Sequence, residues 1–127
     1  ADYFLPHGLG HLLGIQVHDC AGFLSDARSQ KRATKGKRRD YPFLRCSRVL
    51  NENMVLTVEP GFYFMTQMQE QLQAKYPKRV HLQEILKYKK MGGVRIEDNV
   101  VVLKNGNRNL TREAFKYIAD QEQKGVE

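Results

Sequence analysis

The stretch Met54-Val55-Leu56-Thr57-Val58-Glu59-Pro60-Gly61-Phe62-Tyr63-Phe64 decides the fold of this chain. It is rich in residues that favour β-strands, and Pro60-Gly61 interrupts it, because proline lacks the N–H that a sheet requires. The stretch therefore predicts a strand, a kink and a second short strand. Glu59 would be buried directly before the kink. Because an unpaired buried carboxylate is costly, we expect a cationic group to meet it.

Two helices are predicted downstream of this stretch. Thr66 and Gln69 have the spacing of a capping box. A helix then continues at regular apolar spacing until Pro77 ends it. Its apolar positions are Met68, Leu72 and Tyr76. A shorter helix is predicted around Leu82 to Leu86, ending near Gly92-Gly93.

The last third of the chain predicts a strand, a hairpin and a helix. Val94 to Leu103 has the composition of a strand, and Asn105-Gly106 favours a type I′ hairpin turn. A final helix is predicted from Thr111, with Phe115, Ile118 and Ala119 on its buried face. Strands and helices mix without the regular alternation of βαβ units, which indicates an α+β fold.

The net charge of +7 comes from one segment. Seven basic residues and no acidic one lie between Arg28 and Arg39. Such a run can bind nucleic acid, but it contains no aromatic residue that could stack on bases. We therefore interpret residues 25–39 as a basic, mobile surface loop, and nucleic-acid binding is not expected.

Composition favours a cytoplasmic location for the chain. No apolar run is long enough to cross a membrane, and no signal peptide is visible at the start. Cys20 and Cys46 are too few for a disulfide framework, which favours reduced thiols. Because the sequence lacks an initiator methionine and opens almost directly on a motif, we expect it to be part of a longer protein.

Three short motifs carry residues that could bind metal. His11 ends the motif at residues 6–11, Glu59 lies before the Pro-Gly kink, and Glu97 lies in the motif at residues 93–98. Carboxylates with one imidazole suit Mn²⁺, Co²⁺ or Zn²⁺ rather than the metals that prefer thiolates. Pairs of such ions activate water for hydrolysis. The motifs therefore predict a hydrolytic metal centre.

Structural explanations remain open for each motif taken alone. Arg95 and Glu97 are two apart, so on a strand they would share a face and could form a plain ion pair. His11 and His18 are seven apart, but the intervening glycine favours an irregular turn over a helix. A single histidine in such a turn is more often structural than a ligand.

Taken together, four phrases resemble a known family. They are PHGLGHLLGIQVHD (6–19), DYPFLRCSRVL (40–50), MVLTVEPGFYF (54–64) and GGVRIEDNVVV (92–102). They resemble the C-terminal part of bacterial-type Xaa-Pro dipeptidases (prolidases), which share the pita-bread fold with methionine aminopeptidase, aminopeptidase P and creatinase. The resemblance implies that residues 1–127 form a single partial catalytic domain, the C-terminal half of an α+β pita-bread domain.

The resemblance also implies a set of metal ligands. His11 and Glu59 match ligands of one ion, and Glu97 matches the carboxylate that bridges two divalent ions. Mn²⁺ is the expected metal, with Co²⁺ or Zn²⁺ as alternatives. The family uses two further aspartate ligands from a preceding strand, so we expect this chain alone to form an incomplete site and to be inactive.

The remaining site residues follow from the same resemblance. His7 and His18 match catalytic histidines that face the substrate, and Glu59 matches a proton shuttle. Arg45 matches the residue that binds the C-terminal carboxylate of the dipeptide, for which a guanidinium is suited. Arg95 matches a substrate-site arginine beside the bridging glutamate.

The resemblance implies a metal-dependent dipeptidase that hydrolyses dipeptides with C-terminal proline. The full-length enzyme is expected to be a cytoplasmic homodimer without a membrane partner. One alternative is an aminopeptidase P-type enzyme; another is a non-catalytic pita-bread module that binds nucleic acid or histones. His11, Glu59 and Glu97 are all present, which favours an enzyme.

Overall fold

The structure is a computed structural model that describes residues 2–24 and 41–124. The basic segment at residues 25–39 lies outside these described residues. The elements, in chain order, are a 3₁₀ helix at Cys20–Phe23, β1 at Val55–Val58, β2 at Gly61–Tyr63, α1 at Thr66–Lys75, α2 at Leu82–Leu86, a second 3₁₀ helix at Lys89–Met91, β3 at Gly93–Arg95, β4 at Asp98–Leu103, β5 at Gly106–Asn109 and α3 at Leu110–Lys124. This mixture of helices and strands confirms the α+β prediction.

The predicted kink at Pro60 is confirmed, and it divides the strands between two sheets. β1 belongs to a three-stranded antiparallel sheet of order β1-β4-β5, whereas β2 pairs with β3 in a separate two-stranded sheet. The prediction of one strand from Val94 to Leu103 is wrong, because the partner strand breaks as well. Ile96 N–H donates to Pro60 O at 3.1 Å, level with the kink. Glu97 consequently lies between β3 and β4, and strand alternation does not place it beside Arg95.

A segment near the start of the chain runs along the free edge of β1. Backbone N–H groups of Leu13, Thr57 and Glu59 donate to the carbonyls opposite them at 2.7–2.9 Å. His11 lies opposite Thr57 in this pairing. Gly10 permits the close approach, because a Cβ at that position would lie 1.9 Å from Thr57 O.

The helices begin near the predicted residues, but α2 ends at Leu86 and not near Gly92-Gly93, and two further details of the prediction are wrong. Gln69 is not part of a capping box: its side chain is buried, and its amide donates to Tyr3 O at 3.1 Å and Tyr63 O at 3.3 Å. Buried backbone carbonyls need a hydrogen-bond donor, so the Gln69 side chain binds these two carbonyls and does not cap the helix at the surface. The face of α3 predicted to be buried is exposed, since Phe115 is 59% and Ile118 52% accessible.

The β4-β5 hairpin is confirmed, but its turn differs from the prediction. Leu103 pairs with Gly106, so Lys104 and Asn105 form the turn. A type I′ turn requires positive φ at both of these residues. Among the described non-glycine residues only Asn53 has positive φ, whereas Gly106 has φ +112°. Gly106 therefore lies after the turn, at the start of β5, and adopts the positive φ that other residues rarely take.

The most buried side chains of the described residues are polar. His11, Thr57 and Gln69 are the largest fully buried ones, and Leu12 is the one buried hydrophobic residue among those described. No helix within residues 2–24 and 41–124 has the length and apolar character needed to cross a membrane. Two of the predicted site residues, His11 and Glu59, are thus among the buried residues of the described fold.

Candidate active site

His11 and Glu59 face each other in the interior. The Nε2 atom of His11 lies 3.5 Å from Oε1 of Glu59, and the two side chains are 2% and 10% accessible. The Nδ1 atom of His11 lies 3.0 Å from the carbonyl of Leu12. Because a carbonyl can only accept, Nδ1 carries the proton. In a neutral ring Nε2 is then left with its lone pair directed toward the carboxylate.

Glu59 has the cationic partner that its burial predicted. Arg95 Nη1 donates to Oε2 of Glu59 at 3.0 Å. Thr57 Oγ1 lies 3.2 Å from the other carboxylate oxygen, Oε1. A hydrogen bond to the Tyr63 hydroxyl, together with the charge of Glu59, raises the pKa of the Arg95 guanidinium above its ordinary value. Arg95 therefore stays charged beside the Glu59 carboxylate.

Tyr63 joins Arg95 to His7. Arg95 Nε donates to the Tyr63 hydroxyl at 2.6 Å, and that hydroxyl lies 3.0 Å from His7 Nε2. His7 Nδ1 lies 2.7 Å from the carbonyl of Gly8, so it carries a proton. In the neutral ring His7 Nε2 accepts from Tyr63, and both nitrogens are then occupied. His7 is thus fixed in orientation by its own neighbours.

The predicted substrate residues meet at one cavity. A cavity of about 160 Å³ is lined by residues that come from distant parts of the chain. Its predicted site residues are His7, His18, Arg45, Glu59 and Arg95. The ring of His18 also packs edge-on against His11, with centroids 4.4 Å apart. The two histidines lie on an irregular segment, as the glycines predicted.

Glu97 stands apart from the other two predicted metal ligands. It is exposed, and it contributes to the electrostatics of the neighbouring Arg95. Over the described ranges, no three or more His, Cys, Asp or Glu side chains are grouped so that they could hold a metal ion. The structure therefore brings His11 and Glu59 together, whereas Glu97 is not grouped with them.

His11 and Glu59 nevertheless fit one side of a divalent-ion site. An imidazole lone pair and a carboxylate oxygen are both acceptors, so their approach calls for a positive charge between them. The pair matches the donors that Mn²⁺, Co²⁺ and Zn²⁺ take. The Leu12 carbonyl fixes the His11 tautomer, as partners of metal-binding histidines commonly do.

Two residues of this site were missed by sequence reasoning. Thr57 could have been found, because it lies two positions before Glu59 on a strand and so shares its face. Tyr63 gave no such signal. It reaches Arg95 because β2 pairs with β3, a long-range relationship that local spacing does not reveal.

Comparisons with known proteins agree on the family. The sequence model of metallopeptidase family M24 matches residues 1–104. The Xaa-Pro dipeptidase of Actinobacillus pleuropneumoniae is 50% identical over 112 residues, covering 87% of this chain and 25% of that protein. The Xaa-Pro dipeptidase of Citrobacter koseri is 48% identical over 111 residues, covering 87% of this chain and 24% of its own. The chain thus spans about a quarter of the length of the curated relatives it matches.

Solved structures of related enzymes also match. Aminopeptidase P from E. coli is 34% identical, with a TM-score of 0.47 over 87% of this chain and 17% of that one. Proline aminopeptidase P II from Yersinia pestis is 31% identical, with a TM-score of 0.48 and coverage of 87% and 18%. Because the family's sequence model extends over most of the residues, this chain belongs to metallopeptidase family M24.

Proposed function

We propose that this chain supplies part of the catalytic centre of a metal-dependent Xaa-Pro dipeptidase, which hydrolyses dipeptides with C-terminal proline. The observation that carries the proposal is the buried pair of His11 Nε2 and Glu59 Oε1, 3.5 Å apart. Glu59 also lines the cavity where His18 and Arg45 lie. The dipeptidases of 48–50% identity support this choice of substrate.

The proposed metal ligands in this chain are His11, Glu59 and Glu97, and residues from elsewhere in the full-length protein complete the set. Mn²⁺ is the proposed metal, with Co²⁺ or Zn²⁺ as alternatives. When bound, such a pair of ions supplies an activated water and stabilises negative charge on the substrate.

Glu59 is the proposed site of proton transfer. Oε2 accepts from the charged Arg95 and Oε1 accepts from the neutral hydroxyl of Thr57. The remaining lone pair of Oε1 is therefore the proposed place for the proton that passes from the attacking water to the leaving nitrogen. Proton transfer by a positioned carboxylate typically accelerates such a step by about 10²–10⁴-fold. The hydrogen bond from Arg95 holds the orientation of the carboxylate during this transfer.

The histidines of the cavity have different proposed tasks. His18 is exposed at the cavity wall, and the described residues make no hydrogen bond to its ring. It can therefore donate to the carbonyl oxygen of the scissile peptide. His7 is held by Gly8 and Tyr63, so in the neutral state it has no donor left for substrate. We propose that it reaches substrate only when Tyr63 turns away.

Arg45 is the proposed determinant of dipeptide length. Its side chain lines the cavity and is exposed. A guanidinium binds a carboxylate through two parallel hydrogen bonds. A dipeptide presents its C-terminal carboxylate one residue beyond the scissile bond, whereas a longer peptide presents an amide there. Arg45 would thus favour dipeptides.

The proposed setting is the cytoplasm. Cys20 and Cys46 are free thiols, which suits a reducing compartment. A homodimeric full-length enzyme, without a membrane or nucleic-acid partner, remains part of the proposal because of the resemblance to prolidases.

Hydrolysis by the full-length protein tests the proposal. Metal-free protein should gain Ala-Pro hydrolysis when Mn²⁺ is added, and it should leave Ala-Pro-Ala largely intact. This chain alone should show negligible turnover. Faster cleavage of Ala-Pro-Ala than of Ala-Pro would instead support an aminopeptidase P-type enzyme. Absence of hydrolysis with Mn²⁺, Co²⁺ and Zn²⁺ would instead support the alternative that the protein is a non-catalytic binding module.

A further inference from the structure

The hydroxyl of Thr57 lies between the two buried residues of the candidate metal site. The backbone N–H of His11 lies 3.0 Å from Thr57 Oγ1, and Oγ1 lies 3.2 Å from Oε1 of Glu59. The side chain of Thr57 is among the most buried of those described, at 1% accessibility. Water is therefore not available to replace it.

The direction of both hydrogen bonds is fixed by chemistry. A backbone N–H can only donate, so Thr57 Oγ1 accepts from His11. Thr57 Oγ1 has one hydroxyl proton, and it donates that proton to Oε1 of Glu59 at 3.2 Å. The hydroxyl proton of Thr57 therefore points at Oε1 of Glu59.

The fold explains why one hydroxyl reaches both residues. Thr57 and Glu59 are two apart across β1 and share a face. Thr57 N–H donates to His11 O at 2.8 Å, which places residue 11 opposite residue 57. The hydroxyl thus receives from one chain segment and donates to the other.

We propose that Thr57 is a positioning residue for the metal site, an inference that rests on the proposed function for the nature of the bound ion. Arg95 holds one oxygen of Glu59 and Thr57 holds the other. The carboxylate can then neither rotate nor withdraw, and Oε1 stays directed at His11 Nε2. Thr57 also sets the distance between the two ligands, because it binds the backbone of His11.

Three substitutions separate the hydroxyl from the rest of the side chain. Thr57→Val keeps the β-branched shape that suits a strand and removes only the hydroxyl. Thr57→Ser keeps the hydroxyl and removes the methyl group. Thr57→Ala removes both, so comparison of Ser with Ala remains informative should the valine variant fail to fold.

The decisive measurement is Mn²⁺ affinity of the full-length protein by titration calorimetry, with thermal unfolding of the metal-free forms alongside. Loss of a partner that orients a metal ligand typically weakens metal binding about 10–100-fold. Thr57→Val and Thr57→Ala should therefore bind Mn²⁺ at least about tenfold more weakly than wild type, and Thr57→Ser should bind as wild type does. The KM for Ala-Pro at saturating Mn²⁺ should be unchanged throughout.

The outcomes distinguish this inference from the proposed function. If the valine and alanine variants bind Mn²⁺ as tightly as the serine variant, Thr57 is merely structural, whatever happens to their unfolding temperatures. If serine is as weak as alanine, the methyl group matters and the inference is wrong. Wild-type protein that binds Mn²⁺ but leaves Ala-Pro intact would refute the proposed function alone. Wild-type protein that binds no Mn²⁺ would overturn both.

Discussion

Arg95 donates through Nη1 to Oε2 of Glu59 at 3.0 Å, across 36 positions of sequence. The contact joins the end of β3 to the residue that follows β1. Arg95 is 43% accessible and Glu59 10%, so the cation keeps far more contact with solvent than the carboxylate does. The buried carboxylate therefore needs this arginine to compensate its charge, whereas water can solvate the arginine without the carboxylate.

Removal of Arg95 should destabilise the protein. Arg95→Ala leaves Glu59 buried with Thr57 as its remaining neutral donor. A hydrogen bond to a charged group contributes about 1.5–3 kcal/mol, and solvent exposure of Arg95 reduces this to about 1–2 kcal/mol. Urea unfolding at pH 7 measures the loss. As a control, Lys87→Ala breaks the exposed pair with Glu84 and should cost less than about 0.5 kcal/mol. Equal losses would show that Arg95 is an ordinary surface charge.

Alanine should be tolerated at Gly8 and not at Gly10. A Cβ at Gly10 would lie 1.9 Å from Thr57 O, whereas one at Gly8 would meet Leu44 at 3.5 Å, an ordinary contact. Because the Gly10 clash is with backbone, the edge strand must move, at a cost of about 1–3 kcal/mol or more. Thermal unfolding of Gly10→Ala and Gly8→Ala provides the matched comparison. A Gly10→Ala variant as stable as Gly8→Ala would argue against the close pairing of residues 9–13 with β1.

Glu97→Gln should abolish hydrolysis in the full-length protein, if Glu97 bridges two ions as proposed. The amide removes negative charge from both ions at once. Mutation of a residue that only contacts a metal ligand typically lowers metal affinity or activity by about 10–100-fold. Because Glu97 would be a ligand itself, kcat/KM for Ala-Pro should fall by more than about 100-fold. Glu84→Gln, an exposed carboxylate paired with Lys87, is the control and should retain full activity. Substantial activity in Glu97→Gln would remove Glu97 from the ligand set.

Arg45→Ala should damage selection for dipeptides more than hydrolysis itself. One charge-assisted hydrogen-bond partner contributes about 1.5–3 kcal/mol, or roughly ten- to a hundred-fold in rate. The kcat/KM for Ala-Pro should fall by this factor, and that for Ala-Pro-Ala should change little. Arg79→Ala, which changes an exposed arginine elsewhere on the surface, serves as the control. Unchanged Ala-Pro hydrolysis in Arg45→Ala would show that this arginine does not bind the carboxylate.

Glu113 should make stability depend on acid pH. Arg108 donates to both carboxylate oxygens of Glu113, at 3.1 and 2.6 Å, and lowers the pKa of that carboxyl below its ordinary value of 4.5. A lowered pKa gives stability that is present above 4.5 and is lost as pH falls through the folded-state value. Glu113→Gln should therefore lower the unfolding temperature slightly at pH 7, with the difference disappearing in acid. Arg108→Gln should give the same profile, and a difference that grew on acidification would contradict the assignment.

Sequence patterns predicted those features that depend on neighbours in the chain. Proline at position 60 fixed the break between β1 and β2, and the cost of a buried charge predicted a cation beside Glu59. The identity of that cation depended on the pairing of β2 with β3, which spans the two helices and has no local signature. The matching break at Ile96 was missed for the same reason.

The errors on the helices have a similar origin. Helical spacing shows which face of α3 is apolar, but it does not show whether anything covers Phe115 and Ile118. Gln69 has the right spacing for a cap, yet two backbone carbonyls in the interior compete for its amide. In both cases the outcome is decided by tertiary surroundings that spacing alone cannot express.

The polar interior has a consequence for genetics. His11, Thr57 and Gln69 occupy interior positions that aliphatic side chains fill in most domains. A single substitution at one of them therefore lowers the amount of folded protein in the cell as well as disturbing the candidate site. A variant at one of these positions loses activity in a cell when less of it is folded, even if each folded molecule keeps its turnover. Activity per folded molecule must be compared with the amount of folded protein before any such allele is assigned to catalysis.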